Sequence, residues 1–269
     1  MAIITLTSDW GYSDYYVAAV KGTILSQIPD ATIVDISHDI TPFNVRQAGF
    51  VLKNCFHDFP TGTIHIIGID TIESKDRPHV VVKADGHYFI AADNGVFGQI
   101  LTDFEEAVTI DVPQDTDSFN FVTRDRFVKV AAMIANGASL SKIGSPHKKL
   151  NGGLFCAVVR DNIIEGIVIH IDSYENLITN ITQEMFERER RGRKFKILVK
   201  GNLYTIDKIS DSYLDVDKAD LVAIFGSHGN LELALNNAKL ASLCGIELDS
   251  TIRVVFGEEE THLQKTTLF

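Results

Sequence analysis

The pattern of apolar residues changes once along this chain, near residue 150, and that change limits the folds open to it. Before it, short apolar runs alternate with helical spacing. Ile3–Leu6 reads as a strand that runs out at Asp9. From Tyr15 to Ile28 the residues Tyr16, Val17, Val20, Ile24, Leu25 and Ile28 share one helical face, and Pro29 ends the run. Ala31–Ile36 and Gly62–Ile69 read as strands, the latter finishing at Asp70, and Val45–Phe56 and Phe127–Ala135 as helices. Val80–Ala92 brackets the two-residue turn Asp85-Gly86, a hairpin signal. Alternation of this kind predicts an α/β domain, residues 1–150, with a mainly parallel sheet. Ligands of such sheets gather at the carboxyl ends of the strands, where Asp9 and Asp70 fall.

Pro146 and Gly152-Gly153 mark the stretch from Ser145 to Gly153 as a linker. Beyond it, in residues 151–269, strands dominate: Leu154–Val159, Ile163–Ile171, Phe195–Ile209 folded back at Gly201-Asn202, Asp220–Phe225 and Thr251–Phe256. One helix, Leu231–Leu243, stops at Gly245. An all-β, barrel-like domain is the simplest product. The basic run from Arg188 to Lys194 contains a glycine and has acidic neighbours, so it reads as a solvated helix end or loop.

With 269 residues and a net charge of −11, the chain has length for one large or two modest domains and a surface that repels phosphate backbones, which argues against a nucleic-acid partner. Cys55, Cys156 and Cys244 are far apart and form no CxxC pair, so they read as small buried hydrophobes in a reducing compartment. No apolar run reaches membrane-span length and the start lacks a basic leader. The expectation is a cytoplasmic protein with no membrane partner.

Two segments carry carboxylates and flat rings at strand ends: Thr7 to Tyr16, with Asp9, Trp10 and Asp14, and Asp172-Ser173-Tyr174-Glu175-Asn176. Rings stack on a heterocycle and an ionised Asp accepts protons from a diol, so the pair points to a nucleoside-like ligand. Asp14 reads first, with Ser13, as the cap of the following helix and only second as a ligand group, whereas Asp9 reads first as the ligand group. Asp70 and Arg77 flank a polar loop; such a pair can orient a water or serve as a structural ion pair. A metal on Asp9, Asp70, Asp93 and His38 is conceivable, although their spacing matches no ligand pattern. Ala92-Asp93-Asn94-Gly95 reads as a turn. Ser227 and His228 lie between a strand and a predicted helix, whose N-terminal amides would suit a carboxylate.

Taken in order, Ser8-Asp9-Trp10-Gly11, Asp14, Val20-Lys21-Gly22, Asp35-Ile36-Ser37-His38, Ile40-Thr41-Pro42, Phe59-Pro60-x-Gly62-Thr63, Ala92-Asp93-Asn94-Gly95, Arg124-Asp125 and Asn176-Leu177-Ile178-Thr179-Asn180-Ile181 resemble the S-adenosylmethionine hydroxide adenosyltransferases, relatives of fluorinase and chlorinase. The resemblance spans residues 3 to 256. It implies an N-terminal α/β domain and a C-terminal β-barrel domain in a homotrimer, each active site lying between one subunit's first domain and its neighbour's second. It also implies S-adenosylmethionine as substrate, without cofactor or metal: a nucleophile attacks ribose C5′ and methionine leaves. By position, Asp9 resembles the ribose-binding aspartate, Phe43 the aromatic near the sugar, and Phe121 the aromatic of the nucleophile pocket. Asp172, Tyr174 and Asn176 resemble the group that contacts methionine and adenine, with Tyr174 in place of the usual phenylalanine. Tyr213 resembles an aromatic stacked on adenine, and Ser227 and His228 a loop holding the methionine carboxylate or the base. Asp70 and Arg77 match two of the three residues that prepare water in hydroxide-using members.

The departures are specific. The third water-preparing residue is a histidine in the family, and Val122 stands there. The loop from Thr71 to Asp76 replaces the family's Pro and Gly residues with side chains that keep the backbone from a ligand. Hydrolysis of S-adenosylmethionine by Asp70 and Arg77, at reduced rate, is the leading expectation. A module that binds S-adenosylmethionine or adenosine without turnover is the alternative. Halogenation would draw on Thr123, where fluorinase carries a hydroxyl group, but Asp70 sets a negative charge against any bound halide.

Overall fold

Ile3–Ser8 (β1) is apolar or small at every position, as a strand covered on both faces must be. In the computed structural model, which describes residues 2–114, 120–153 and 155–257, β1 lies between Thr32–Ser37 (β2) and Ile64–Gly68 (β3), parallel to both. The sheet continues through His87–Ala92 (β5), His79–Ala84 (β4), Glu106–Ile110 (β6) and Gly144–Pro146 (β7). Only β2, β1, β3 and β5 run parallel; β4, β6 and β7 pair antiparallel. The sheet is therefore mixed and not mainly parallel. The cause is the turn at Asp85 and Gly86, both at positive φ, because a two-residue connection can join only antiparallel strands. That hairpin sets β4 between β5 and β6.

Alternation along the strands divides the apolar side chains between two layers. Ile4, Leu6, Ile66 and Val81 pack with Tyr16–Gln27 (α1) and Val128–Ala135 (α4). Ile67, Val80 and Val82 pack with Val45–Lys53 (α2) and Val96–Ile100 (α3). Asn44 caps α2 by accepting from the Gln47 amide at 3.0 Å. Asp14 caps nothing: Tyr15 holds the cap position of α1, with no side-chain bond. Residues Thr123–Phe127 form a π-helical turn leading into α4. The expected linker is partly structural, since β7 opens it and Asn151 N donates to both oxygens of buried Asp93, at 2.9 and 3.0 Å.

Contacts divide the chain into Met1–Leu154 and Phe155–Phe269. The second unit is an antiparallel sheet ordered Tyr204–Ile206 (β12), Phe195–Val199 (β11), Thr251–Phe256 (β15), Ile163–Ile171 (β9), Leu177–Thr182 (β10), Asn230–Leu235 (β14) and Leu221–Phe225 (β13), with Val158–Arg160 (β8) added to β9. Residues 163–167 of β9 pair with β15, and residues 168–171 pair with β10. A strand shared in this way turns a corner. With β12 approaching β13, the sheet is nearly closed. Gly166 permits that corner, since a Cβ there would lie 2.5 Å from Ile181 Cγ1.

Two expectations fail in this unit. The predicted helix over residues 231–243 is strand β14, a turn at Asn236-Asn237, and a short helix Leu240–Cys244 (α6) that does stop at Gly245. The predicted strand over residues 154–159 is reduced to β8; its start at Leu154 lies outside the described residues. Strand β10 was not foreseen as an element. The basic run falls at the end of Gln183–Arg190 (α5), as read. Cys244 is buried, but Cys55 is only half-buried and Cys156 is exposed, against the reading of three buried thiols. Among the described residues no helix is long and apolar enough to cross a membrane.

Candidate functional site

In the first unit, Asp9 and Asp70 follow neighbouring parallel strands, β1 and β3, at their carboxyl ends. Asp9 Oδ2 accepts from the Phe43 amide at 2.8 Å. Phe43 itself sits at φ 63 and is 70% exposed. A left-handed aromatic in solvent is an uncommon conformation, of the kind that concentrates at ligand sites. Asp70 is also left-handed, at φ 43. Its carboxylate Oδ2 accepts a short hydrogen bond from Arg77 Nη2, and its carbonyl accepts from Arg77 Nη2 at 3.1 Å and Asn94 Nδ2 at 3.2 Å. The predicted pair is thus a real contact.

Aromatic packing gathers the remaining first-unit candidates. Trp10 lies on the backbone of Gly68, where a Cβ would come within 2.5 Å of its ring and 3.3 Å of Thr123 Oγ1. Phe121 stands edge-on to Trp10 and Tyr16, with centroids 5.7 and 5.3 Å away, and the Arg124 guanidinium covers it at 4.9 Å. Thr123 is buried beside them. Val122 points into the apolar core with Phe127 and Val128, so it offers no proton chemistry.

In the second unit Asp172, Tyr174, Asn176 and Tyr213 line one cavity of about 860 Å³, completed by the turn at Asn236 and Asn237. That volume lies in the range of small-molecule sites. Asp172 shapes the loop: Oδ1 accepts from the amides of Tyr174 and Asn176 at 2.9 and 2.8 Å, and Oδ2 from Asn176 Nδ2 at 3.1 Å. Tyr174 is exposed. Tyr213 donates to Glu232 Oε1 at 2.5 Å, and His228 Nε2 meets Glu232 Oε2 at 3.3 Å. Burial of the Glu232 carboxyl would raise its pKa, but hydrogen bonds from His228 and Tyr213 outweigh that and hold it below the usual range. The Tyr213 phenol is pushed up by burial and by its bond to that carboxylate. Ser227 is exposed. It and His228 occupy a hairpin turn between β13 and β14, so the predicted helix N-terminus is absent there.

Three arrangements escaped the sequence reading. Glu232 lies in the alternation Leu231-Glu232-Leu233, and an acidic residue at a strand's centre was the available signal. Ser8 Oγ meets His38 Nδ1 at 2.5 Å; His38 Nε2 is 3.1 Å from Asp35 Oδ1 without hydrogen-bond alignment, and Asp35 Oδ2 accepts from Lys21 at 2.5 Å. Arg126 and His79 form the third, beside the loop that carries Asp70. The four groups weighed for a metal are not gathered: His38 turns to Ser8 and Asp93 to Asn151. Among the described residues, no three His, Cys, Asp or Glu are placed to hold a metal ion.

Comparison with known proteins agrees with this division. Residues 4–144 match the SAM hydroxide adenosyltransferase N-terminal domain and residues 166–253 the C-terminal domain. A Methanocaldococcus jannaschii (R)-S-adenosyl-L-methionine hydrolase is 30% identical over 94% of this chain and 96% of that protein. A fluorinase from an Actinoplanes species is 25% identical over 94% and 97%. A crystal structure of an uncharacterized conserved protein from Thermotoga maritima superposes with a TM-score of 0.83 at 28% identity, covering 94% of this chain and 99% of that one.

Proposed function

Because the chain belongs to the SAM hydroxide adenosyltransferase family, we propose that it hydrolyses S-adenosyl-L-methionine to adenosine and L-methionine. The observation that carries this reading is the Asp70–Arg77 contact at the carboxyl end of β3, beside Asp9 at the end of β1. Asp9 holds the ribose diol, with Phe43 against the sugar and Phe121 and Thr123 lining the path of the nucleophile. Asp70 accepts a hydrogen bond from the attacking water and Arg77 holds that carboxylate in place. Water oxygen bonds to C5′ as the C5′–S bond breaks; the sulfonium sulfur keeps the electron pair and departs as methionine, and the water's proton is released. A sulfonium needs no cofactor to leave. The second unit's cavity, with Asp172, Tyr174, Asn176 and Tyr213, takes the base and methionine, and the Ser227-His228 turn joins it through the bond of His228 to Glu232, the partner of Tyr213.

The proposal includes assembly as a homotrimer, with a solution mass near three 29.8-kDa chains. Its central test is incubation with S-adenosylmethionine and chromatography of the products, with Asp70→Ala as control. Adenosine and methionine in equal amounts from the wild type, and not from the variant, are the expected result. The core position of Val122 favours a second reading, binding without turnover. Its mark is a ligand that raises the melting temperature while no adenosine forms.

A further inference from the structure

Asp70 and Arg77 stand at the two ends of one loop, and residues 72–76 between them are exposed. A polar loop of this length has no core of its own to hold its ends in register, so its geometry must come from neighbours. A backbone bridge joins Ser74 and Arg77, at 3.1 Å in both directions. Asn151 Nδ2 holds the far end, donating to Asp76 O at 2.7 Å, and the side-chain restraints on Thr71 and Glu73 converge on one largely buried guanidinium. Arg126 Nη1 donates to Glu73 Oε2 at 2.7 Å and to His79 Nδ1 at 2.9 Å. Its Nε donates to Val112 O and its Nη2 to Ile110 O, both at 2.8 Å, which anchors it at the end of β6. The side chain is 12% exposed.

The contacts of His79 select its tautomer. Nδ1 accepts from Arg126, so the proton is on Nε2, and Nε2 donates to Thr71 O at 2.9 Å. His79 is fully buried, with the Phe127 ring edge-on at 4.9 Å. A continuous path therefore runs from the β6 carbonyls through Arg126 and His79 to the residue that follows Asp70. A second limb runs from Arg126 to Glu73 in the middle of the loop. Asp70 is left-handed, a conformation that persists where its surroundings over-determine it.

We propose that Arg126, acting through His79 and Glu73, is a positioning residue that holds the loop from Thr71 to Asp76 so that Asp70 and Arg77 meet the attacking water. This rests on the hydrolase reading for its kinetic consequence but not for its structural one. The test uses Arg126→Met, which keeps length and burial while removing every donor, together with Glu73→Gln. Kinetics on S-adenosylmethionine and amide hydrogen exchange over residues 71–77 are measured for each. Arg126→Met is expected to lower kcat by about 10- to 100-fold, the cost of a small misplacement of reacting groups, with KM little changed and loop exchange accelerated. Glu73→Gln, which spares the His79 limb, should lose only a few-fold. A folded Arg126→Met with wild-type kcat overturns the proposal. If the wild type forms no adenosine, the hydrolase reading fails alone; unchanged loop exchange in Arg126→Met then still overturns the positioning role, and accelerated exchange supports it. Should Arg126→Met not fold, His79→Gln carries the same comparison.

Discussion

The candidate carboxylates of the two units are held in opposite ways. In the first, Asp9 and Asp70 each engage one neighbour through Oδ2, and among the described residues Oδ1 of each has no protein hydrogen bond. In the second, Asp172 and Glu232 use both oxygens on their own unit. A carboxylate oxygen without a protein donor is free to take a hydroxyl or a water, whereas one that already accepts from its own unit also fixes the shape around it. On the proposed function, the first unit supplies the polar chemistry. The second supplies a cavity whose Asp172 wall is shaped by that carboxylate's own hydrogen bonds, with Glu232 bracing Tyr213 behind it.

Asp70→Asn attacks that contrast where the effect is largest. Adenosine formation should fall by about 10²–10⁴-fold, the usual loss when an acid–base group is removed, with the protein still folded. A smaller drop would mean that the open oxygen is not the one that meets water. Asp9→Asn comes next. A hydrogen bond to a charged group contributes about 1.5–3 kcal/mol, so calorimetry should find adenosine bound roughly 10- to 100-fold more weakly. Unchanged affinity would remove Asp9 from the sugar.

Glu232→Gln sharpens the comparison from the other side. Chemical denaturation should show a loss of about 1–3 kcal/mol, while adenosine affinity shifts only a few-fold. If affinity falls as far as in Asp9→Asn, Glu232 touches the ligand and the contrast is broken. The smallest effect is on acid stability, and it belongs to the first unit. His65 is bound to Thr5 Oγ1 at 2.7 Å and His87 at 3.1 Å, and burial, with His87 nearby, lowers its pKa to about 3. Below its ordinary value of about 6.5, the unfolded chain takes up a proton that the folded one refuses. Stability should therefore decline as pH falls from about 6.5 toward 3, and His65→Gln should flatten that decline in urea titrations at successive pH values.

Elements with one unambiguous period were legible from the residues: β1, α1, β9 and the Asp85-Gly86 hairpin lie where apolar spacing and turn chemistry put them. Position in the sheet was not. Nothing local in residues 106–110 records that β6 pairs with β4, the pairing that extends the antiparallel part begun at the Asp85-Gly86 hairpin. Residues 231–243 failed for a different reason. Leu231, Leu233, Leu235 and Leu240 suit either period, and the arbiter was Asn237, which turns the chain at φ 57. The same error carried Ser227 and His228 to a helix start that is a hairpin turn.

The site shows the same division. Asp70 and Arg77 are seven residues apart, close enough for a loop to join them, and were paired correctly. The side-chain partners of Arg126 are Glu73, 53 residues away, and His79, 47 residues away, distances that only the folded sheet can span.

The π-helical turn at Thr123–Phe127 makes chain length a variable in its own right. Such a turn is an α-helix carrying one extra residue. Deleting a single residue upstream of Arg126 would convert it to a regular helix and rotate every preceding side chain by roughly 100° about the axis. Phe121, Thr123 and Arg124 would then face elsewhere, while Phe127 and α4 stayed in the core. In this segment a change of length by one, with no change in the chemistry of any side chain, is enough to disassemble the cluster of Phe121, Thr123 and Arg124.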